Sequence, residues 1–295
     1  MTVISAVPVS YACGYFETHR DLCPDGFLKG RSEEEIFVVS FDRIPYGLFQ
    51  YTCSGTKAEF GIWFEAECPE YKKERILAFV CEFMIRRHHP QKLHASFCQE
   101  KRFFSACGFY PKGKGMMKIV EPWRLQLDDR VFDEEGYIIN QGMMKEIPYG
   151  WFDTAAKGCG WIAAYNLLKM NGRETTMQEC AECLEKRTIL GGVMGSEIMM
   201  VMLWLKKKGL NVRMTMPSDL LCIRAVQHSS SGILLYTHAR GAHYTAYRRN
   251  PDGTLQFYNA VYGRRNHNVR FEEFLKQHAL FPVSSVIYLE DHNDQ

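Results

Sequence analysis

The sequence lacks a strong charge of either sign. Its 36 basic and 34 acidic side chains leave a net charge of +2 over 295 residues. Such a balance provides no electrostatic attraction toward nucleic acid or an anionic membrane surface. A run of about 18 apolar residues, which a membrane span needs, is also missing, and the longest candidate, Ile198 to Leu205, is too short. We therefore expect neither nucleic acid nor a membrane as a partner.

The sequence also lacks the features of secreted proteins. Residues Met1 to Pro8 contain no basic segment and no long apolar core, so we expect no signal peptide. The 11 cysteines are scattered rather than spaced as a disulfide framework. Cys180 and Cys183 form one half of a zinc-site pattern, but no second pair accompanies them. These observations predict a cytoplasmic protein with free thiols and with neither a metal nor another cofactor.

What the sequence does contain is a cysteine between two glycines at the start of a helical pattern. Cys159 lies between Gly158 and Gly160, and the apolar run that follows it ends at Asn171-Gly172. At a helix N-terminus, the unpaired amides and the helix dipole favour a thiolate. Because the thiolate is the attacking species, Cys159 is a candidate nucleophile. A buried, unreactive cysteine is the alternative interpretation.

A histidine and an asparagine lie on the two strands of the clearest hairpin. His243 precedes the turn Asn250 to Gly253, and Asn259 follows it. Folding about this turn places them opposite each other to within one residue, with Cβ atoms about 5 Å apart. The asparagine side-chain carbonyl can then accept a hydrogen bond from one imidazole nitrogen, while the other nitrogen faces a sulfur. Cys159, His243 and Asn259 thus predict a nucleophile, a base and an orienting residue, although His243 and Asn259 taken singly also suit ordinary strand and turn positions.

The second part of the chain, about residues 128 to 295, resembles the papain-like cysteine peptidases. Within them it is most similar to the branch that removes double-glycine leader peptides. The segments that carry the resemblance are Gly158–Ala164, Gly195–Glu197, Gly241–Tyr244 and Phe257–Asn259. The resemblance implies Cys159 as the nucleophile, His243 as the base and Asn259 as the orienting residue.

The oxyanion donor is where this sequence departs from that family. The family usually has a glutamine about six residues before the cysteine, and Asp153 occupies that position here. Because an ionised aspartate repels an oxyanion, the remaining donors are the Cys159 amide and either a protonated Asp153 or Thr154. Trp161 and Tyr244 suggest an apolar substrate cleft, although aromatic residues at such positions usually belong to a core.

The first 122 residues predict antiparallel strands followed by a β-α-β-α-β order. This order and the segment Phe103–Phe109 resemble the GNAT acyltransferase fold. The positions aligned with the glycines of that family's pyrophosphate loop are Lys73, Arg75 and Leu77. Phe104 stands where a tyrosine often serves as the general acid. Because glycines are needed for close backbone approach to a pyrophosphate, we expect no conventional binding of acetyl-CoA.

These observations predict an α+β protein with two domains, a GNAT-like α/β domain at residues 1–125 and a papain-like domain at residues 126–295. The second domain is expected to place its helices before an antiparallel sheet. The leading functional prediction is a thiol-dependent hydrolase, a cysteine peptidase that cleaves a peptide or other amide substrate through an acyl-enzyme on Cys159. One alternative is an acyltransferase that passes the same acyl group to an amine. The other is a peptide-binding module without turnover.

Overall fold

A computed structural model describes most of the chain. The described residues are 3–24, 27–28, 32–97, 100–121, 124–192, 195–239, 241–260, 266–280 and 284–290. The architecture is mixed α+β, as the sequence predicts, and the chain divides into two compact units. Unit 1 comprises Met1–Arg124 and Lys145–Asp153, and unit 2 comprises Leu125–Met144 and Thr154–Gln295.

Unit 1 contains a seven-stranded sheet, a small hairpin and three α-helices among its described residues. In chain order its elements are β1 (Ile4–Pro8), α1 (Cys13–His19), β2 (Ile36–Phe41), β3 (Ile44–Ser54), β4 (Lys57–Phe64), α2 (Glu70–His88), β5 (Lys92–Phe97), α3 (Lys101–Ala106), β6 (Tyr110–Lys112), β7 (Gly115–Ile119), β8 (Pro148–Tyr149) and β9 (Phe152–Asp153). The strand order of the large sheet is β1-β2-β3-β4-β5-β7-β6. Strands β4 and β5 are parallel, and α2 supplies the crossover that a parallel pair requires.

Helix α2 covers one face of this sheet. Its apolar residues Ile76, Phe79, Val80, Phe83 and Met84 recur at helical spacing, which predicts a buried stripe, and all five are buried. These side chains join the main core with residues from the sheet strands. Strands β1 and β6 and helix α1 are not evident from the sequence, because short edge strands and a single two-turn helix carry little periodicity of their own.

The chain returns to unit 1 after its first passage into unit 2. The predicted boundary between residues 125 and 126 lies next to the first crossing, but the continuous domain 126–295 omits the return of Lys145–Asp153. Within unit 1, the amide of Ala6 donates to the Trp151 carbonyl at 2.9 Å. Hydrogen bonds between residues so far apart in sequence produce no local pattern, which explains why the return was missed.

Unit 2 places several helices around a six-stranded sheet. Its elements are α4 (Thr154–Lys157), α5 (Cys159–Met170), α6 (Met177–Glu185), α7 (Ile198–Lys207), β10 (Val212–Met214), α8 (Asp219–Gln227), β11 (Ser231–His238), β12 (Gly241–Arg249), β13 (Leu255–Tyr258), β14 (Asn266–Val269), α9 (Phe271–His278) and β15 (Ser285–Leu289). The strand order is β10-β15-β11-β12-β13-β14, and each of these pairings is antiparallel. Four helices precede the sheet, whereas α8 and α9 are inserted between its strands.

Helix α5 is the central helix of unit 2 and packs against β11 and β12. Its side chains Trp161, Ile162 and Leu168 are fully buried. Burial of each such side chain contributes about 1.5–3 kcal/mol to folding, so α5 is held firmly in place. The predicted cap is confirmed, because Asn171 ends the helix and its amide bonds back to the Leu168 carbonyl.

Two local predictions for unit 2 were wrong. The apolar segment Tyr137–Ile139 predicts an edge strand, but this region makes an isolated bridge between Phe132 and Ile138. Ser196, a residue type that favours N-caps, precedes the apolar pattern of α7 and predicts the cap, but the N-cap is Glu197, which makes no capping bond with its side chain. Among the described residues, no helix is long and apolar enough to span a membrane.

Candidate active site

The candidate nucleophile lies at the start of the central helix, as predicted. Cys159 is the first residue of α5, and Gly158 is the N-cap. The backbone amides of Tyr244, Gly160 and Cys159 lower the pKa of the Cys159 thiol, because these N–H groups favour a negative charge on the nearby sulfur. Because Tyr244 directly follows His243 on β12, the thiol lies beside the peptide unit that joins these two residues.

The two glycines around Cys159 leave room for close packing. A Cβ on Gly160 would lie 2.8 Å from both Cβ and Oγ of Ser196. A Cβ on Gly158 would lie 2.5 Å from Cγ2 of Thr154 and 2.8 Å from Nε1 of Trp161. Gly158 has a φ of −81°, which any residue can adopt. Glycine is therefore required on both sides of the cysteine because there is no room for a Cβ atom, and not because of an unusual backbone conformation.

The surroundings of Cys159 oppose the thiolate that the helix start favours. Its residue is 8% exposed, and burial raises the pKa of the thiol above its ordinary value. The Tyr244 amide, the charge of Lys157 and the amides at the start of α5 oppose this rise without cancelling it. The helix start therefore favours the thiolate as expected, but the loss of solvent outweighs it.

The candidate base is a buried, neutral imidazole. Nε2 of His243 donates to the backbone carbonyl of Asn259 at 2.6 Å. Because a carbonyl can only accept, the proton lies on Nε2, and Nδ1 of the neutral ring is an acceptor. Burial lowers the pKa of His243 to about 4, and the Asn259 carbonyl opposes this shift only in part. At neutral pH the ring can therefore accept a proton, as a general base must.

Neighbouring rings enclose His243. The rings of Tyr236 and His238 lie 5.8 Å and 6.1 Å from it, both nearly perpendicular to the imidazole. Tyr236 packs in turn against Phe274 of α9, with centroids 5.4 Å apart. These rings exclude water from the imidazole, which accounts for its lowered pKa. The charge of His238 lowers the pKa further.

Asn259 orients His243 through its backbone rather than through its side chain. The hairpin pairs Ala246 with Tyr258, so the same register places Thr245 opposite Asn259, two residues away from His243. Asn259 follows the last residue of β13 and has a φ of +62°. Asparagine is one of the few residues that adopt this left-handed conformation readily. The chain thereby turns out of the strand, and the carbonyl of Asn259 contacts the ring.

The side chain of Asn259 instead contacts Gln141, a residue that the sequence analysis missed. Oδ1 of Asn259 accepts from the backbone amide of Gln141, and Nδ2 donates to Gln141 Oε1, both at 3.0 Å. Nε2 of Gln141 donates to the carbonyls of Thr154 and Ala155 at 2.9 Å and 3.0 Å. Gln141 lies in a segment without regular spacing, 118 positions from Asn259, so no sequence signal linked the two.

The remaining predicted site residues occupy different surroundings. Asp153 is a buried residue of unit 1, where its carboxylate accepts from the Ile4 amide at 3.3 Å. Thr154 and Trp161 are fully buried, so neither offers a surface to a substrate in this conformation. Tyr244 is also buried, and its hydroxyl donates to the Ser196 carbonyl at 2.8 Å. Trp161 and Tyr244 are therefore core residues rather than the lining of a cleft, because packing of α5 on β12 covers them.

No group of three or more metal-binding side chains occurs among the described residues. Comparisons of the chain with protein-family models, with curated proteins and with solved structures found no match. The functional interpretation therefore depends on the arrangement of Cys159, His243, Asn259 and Gln141 within unit 2.

Proposed function

We propose that this protein is a thiol-dependent hydrolase, a papain-like cysteine peptidase that cleaves an amide bond through an acyl-enzyme on Cys159. One observation carries the proposal. Helix α5, which begins with Cys159, packs on β12, which carries His243, and the Asn259 carbonyl accepts from Nε2 of that histidine. This arrangement supplies a nucleophile, a base and an orienting group in the roles that amide hydrolysis requires.

The proposed reaction begins with proton transfer from the Cys159 thiol to Nδ1 of His243. The thiolate then attacks the substrate carbonyl carbon, and the carbon–oxygen π electrons move onto the oxygen. When this intermediate collapses, the carbon–nitrogen bond breaks and the leaving amine takes the proton from the imidazolium. Water then attacks the thioester with His243 as base, which releases the acid and restores the thiol.

The start of α5 supplies the proposed oxyanion site. The Cys159 and Gly160 amides lower the pKa of the thiol at the start of α5, where the positive end of the helix dipole also lies. The same amides can stabilise an oxyanion that forms on a carbon bonded to that sulfur. Because Asp153 is hydrogen-bonded to Ile4 within unit 1, the proposal assigns no donor role to its carboxylate.

The proposed fold families are papain-like for unit 2 and GNAT-like for unit 1. The helices α4 to α7 followed by the antiparallel sheet support the first, and the β4-α2-β5 crossover supports the second. In unit 1, Lys73 lies 3.0 Å from Glu100, and Nε of Arg75 donates to Glu146 at 2.6 Å. These long side chains occupy the start of α2, which supports a GNAT-like unit without a conventional acetyl-CoA site.

Two further functions stay open for the same cysteine. The absence of an amide side chain at position 153 favours acyl transfer, in which an amine rather than water attacks the thioester. The burial of Cys159 and the raised pKa of its thiol favour a peptide-binding module without turnover.

A pool of synthetic peptides, incubated with the protein and analysed by mass spectrometry, tests these functions. We expect cleavage by the wild type and its loss in Cys159→Ala and His243→Gln, whereas Cys183→Ala, which changes a cysteine of α6, retains it. Undiminished cleavage in Cys159→Ala would refute the proposal. An added amine distinguishes transfer from hydrolysis, because a transferase yields mainly a new amide. No cleavage by the wild type, with Cys159 labelling no faster than the other thiols, would support a binding module.

A further inference from the structure

A single buried glutamine connects both sides of the candidate site. The Gln141 side chain accepts from Nδ2 of Asn259, whose carbonyl holds His243. The same side chain donates to the carbonyls of Thr154 and Ala155 in α4, the short helix before Cys159. Gln141 itself is 7% exposed. It thus contacts the residue that orients the base and the helix that precedes the nucleophile.

The hydrogen bonds determine the orientation of both amides. If the Gln141 amide were turned by 180°, its oxygen would face two carbonyl oxygens, and its nitrogen would face the Asn259 amide nitrogen. In the orientation present, each polar atom of the two side chains has a complementary partner. Because these groups are buried, water cannot replace a broken hydrogen bond. The donor or acceptor left unbonded then costs about 1–3 kcal/mol of stability. The pair is therefore a rigid clamp.

We propose that Gln141 is a positioning residue for the reaction, which fixes the Asn259 carbonyl on Nε2 of His243 and ties it to the helix before Cys159. The inference rests on the proposed function of the site. Its physical reason is that Asn259 lies beyond the end of β13, where no strand pairing holds its carbonyl in place. The hydrogen bonds between Gln141 and the Asn259 side chain hold this carbonyl in place instead of strand pairing. They therefore determine which imidazole nitrogen is protonated.

Replacement of Gln141 by methionine tests the inference. Methionine has a similar size but neither donates to the α4 carbonyls nor accepts from Asn259. A matched control is Asn166→Leu, which removes two hydrogen bonds between α5 and the backbone of Ile138, at 2.9 Å and 2.8 Å. That asparagine is also a buried amide clamped to the same segment, but it contacts neither Asn259 nor His243.

The decisive measurements are the tautomer of His243, from NMR of protein labelled with ¹⁵N-histidine, and the rate at which iodoacetamide labels Cys159. In the wild type and in Asn166→Leu we expect a single tautomer with the proton on Nε2. In Gln141→Met we expect a mixture of tautomers and labelling about tenfold slower, because misplacement of a reacting group by about 1 Å reduces rates by up to a hundredfold. One unchanged tautomer with a labelling rate within about twofold of the wild type would overturn the inference.

A second variant keeps the test decisive if Gln141→Met does not fold. Asn259→Gly retains the carbonyl and suits the positive φ, but it removes the other half of the clamp. It should reproduce the mixed tautomer, and the double variant should be no worse than either single one, because both changes break the same unit. The tautomer is measured without substrate. An altered tautomer in a protein that cleaves nothing would therefore uphold the clamp and refute only the proposed hydrolysis.

Discussion

The backbone carbonyl of Asn259 accepts a hydrogen bond from Nε2 of His243 at 2.6 Å, while the side chain of Asn259 contacts Gln141. The asparagine thus has two separate tasks. Its backbone faces the imidazole, and its side chain holds that backbone in place. The effect of a substitution at position 259 should therefore depend on whether the new residue adopts the same backbone conformation, as well as on the loss of the side-chain amide.

Alanine and glycine at position 259 should differ in stability although both lack the side chain. Asn259 has a φ of +62°, a conformation that is disfavoured for alanine by about 1–2 kcal/mol and is open to glycine. We expect Asn259→Ala to unfold at a lower temperature than Asn259→Gly, as measured by calorimetry. Equal melting temperatures would show that the left-handed conformation is absent in solution.

The labelling of Cys159 should report a neutral thiol rather than a thiolate. Because burial raises the pKa of this thiol, its rate of reaction with iodoacetamide should still rise with pH above about 9. Lys157→Met should slow labelling further, since the charge of Lys157 favours the thiolate, whereas Lys207→Met, at the end of α7, should leave the rate unchanged. Peptide-level mass spectrometry provides the rates, and a plateau below pH 8 would indicate a thiolate–imidazolium pair instead.

Acid should destabilise unit 2 through His243. Its pKa is about 4 in the folded protein against an ordinary value of 6.5, so the unfolded chain binds more protons between these values. The stability contributed by the neutral ring is fully present above about pH 6.5 and is lost as the pH falls toward about 4. The loss at pH 5 is about 2 kcal/mol.

Hydrogen exchange of peptides from α5, corrected for the intrinsic pH dependence, measures this effect. Between pH 7 and pH 5, protection should decrease more in the wild type than in His243→Gln, because glutamine does not titrate and the other nine histidines are present in both proteins. The difference between the two proteins isolates His243 from the carboxylates, which are the same in both. An equal decrease in both would contradict the assignment of a buried, neutral imidazole.

Gly160→Ala should disturb the start of α5. The added Cβ would lie 2.8 Å from two atoms of Ser196, and relief of such overpacking costs about 1–3 kcal/mol. Gly142→Ala is a matched control in the same unit, because its Cβ would meet only Asn140 Oδ1, at an ordinary 3.6 Å. We expect Gly160→Ala to unfold at a lower temperature than the wild type, with an altered rate of Cys159 labelling by iodoacetamide. Gly142→Ala should resemble the wild type in both measurements. Identical behaviour of the two variants would show that Ser196 moves away freely.

Local patterns in the sequence were sufficient for the main elements of the fold. The apolar spacing of α2 and α5, the Asn171-Gly172 cap and the turn at residues 250–253 each arise from residues within a few positions of one another. The same local chemistry placed Cys159 at a helix start. Such features can be predicted from the sequence because the periods of helices and strands repeat over a few residues.

Tertiary structure alone decided how the candidate site is held together. The contact of Gln141 with Asn259 joins residues 118 positions apart, and the choice of backbone over side chain at His243 follows from a single left-handed residue. Burial of Trp161 and Tyr244, and the desolvation that outweighs the helix dipole at Cys159, depend on packing from every side. A sequence specifies which groups are present, but their hydrogen-bond partners and their access to water exist only once distant segments have packed together.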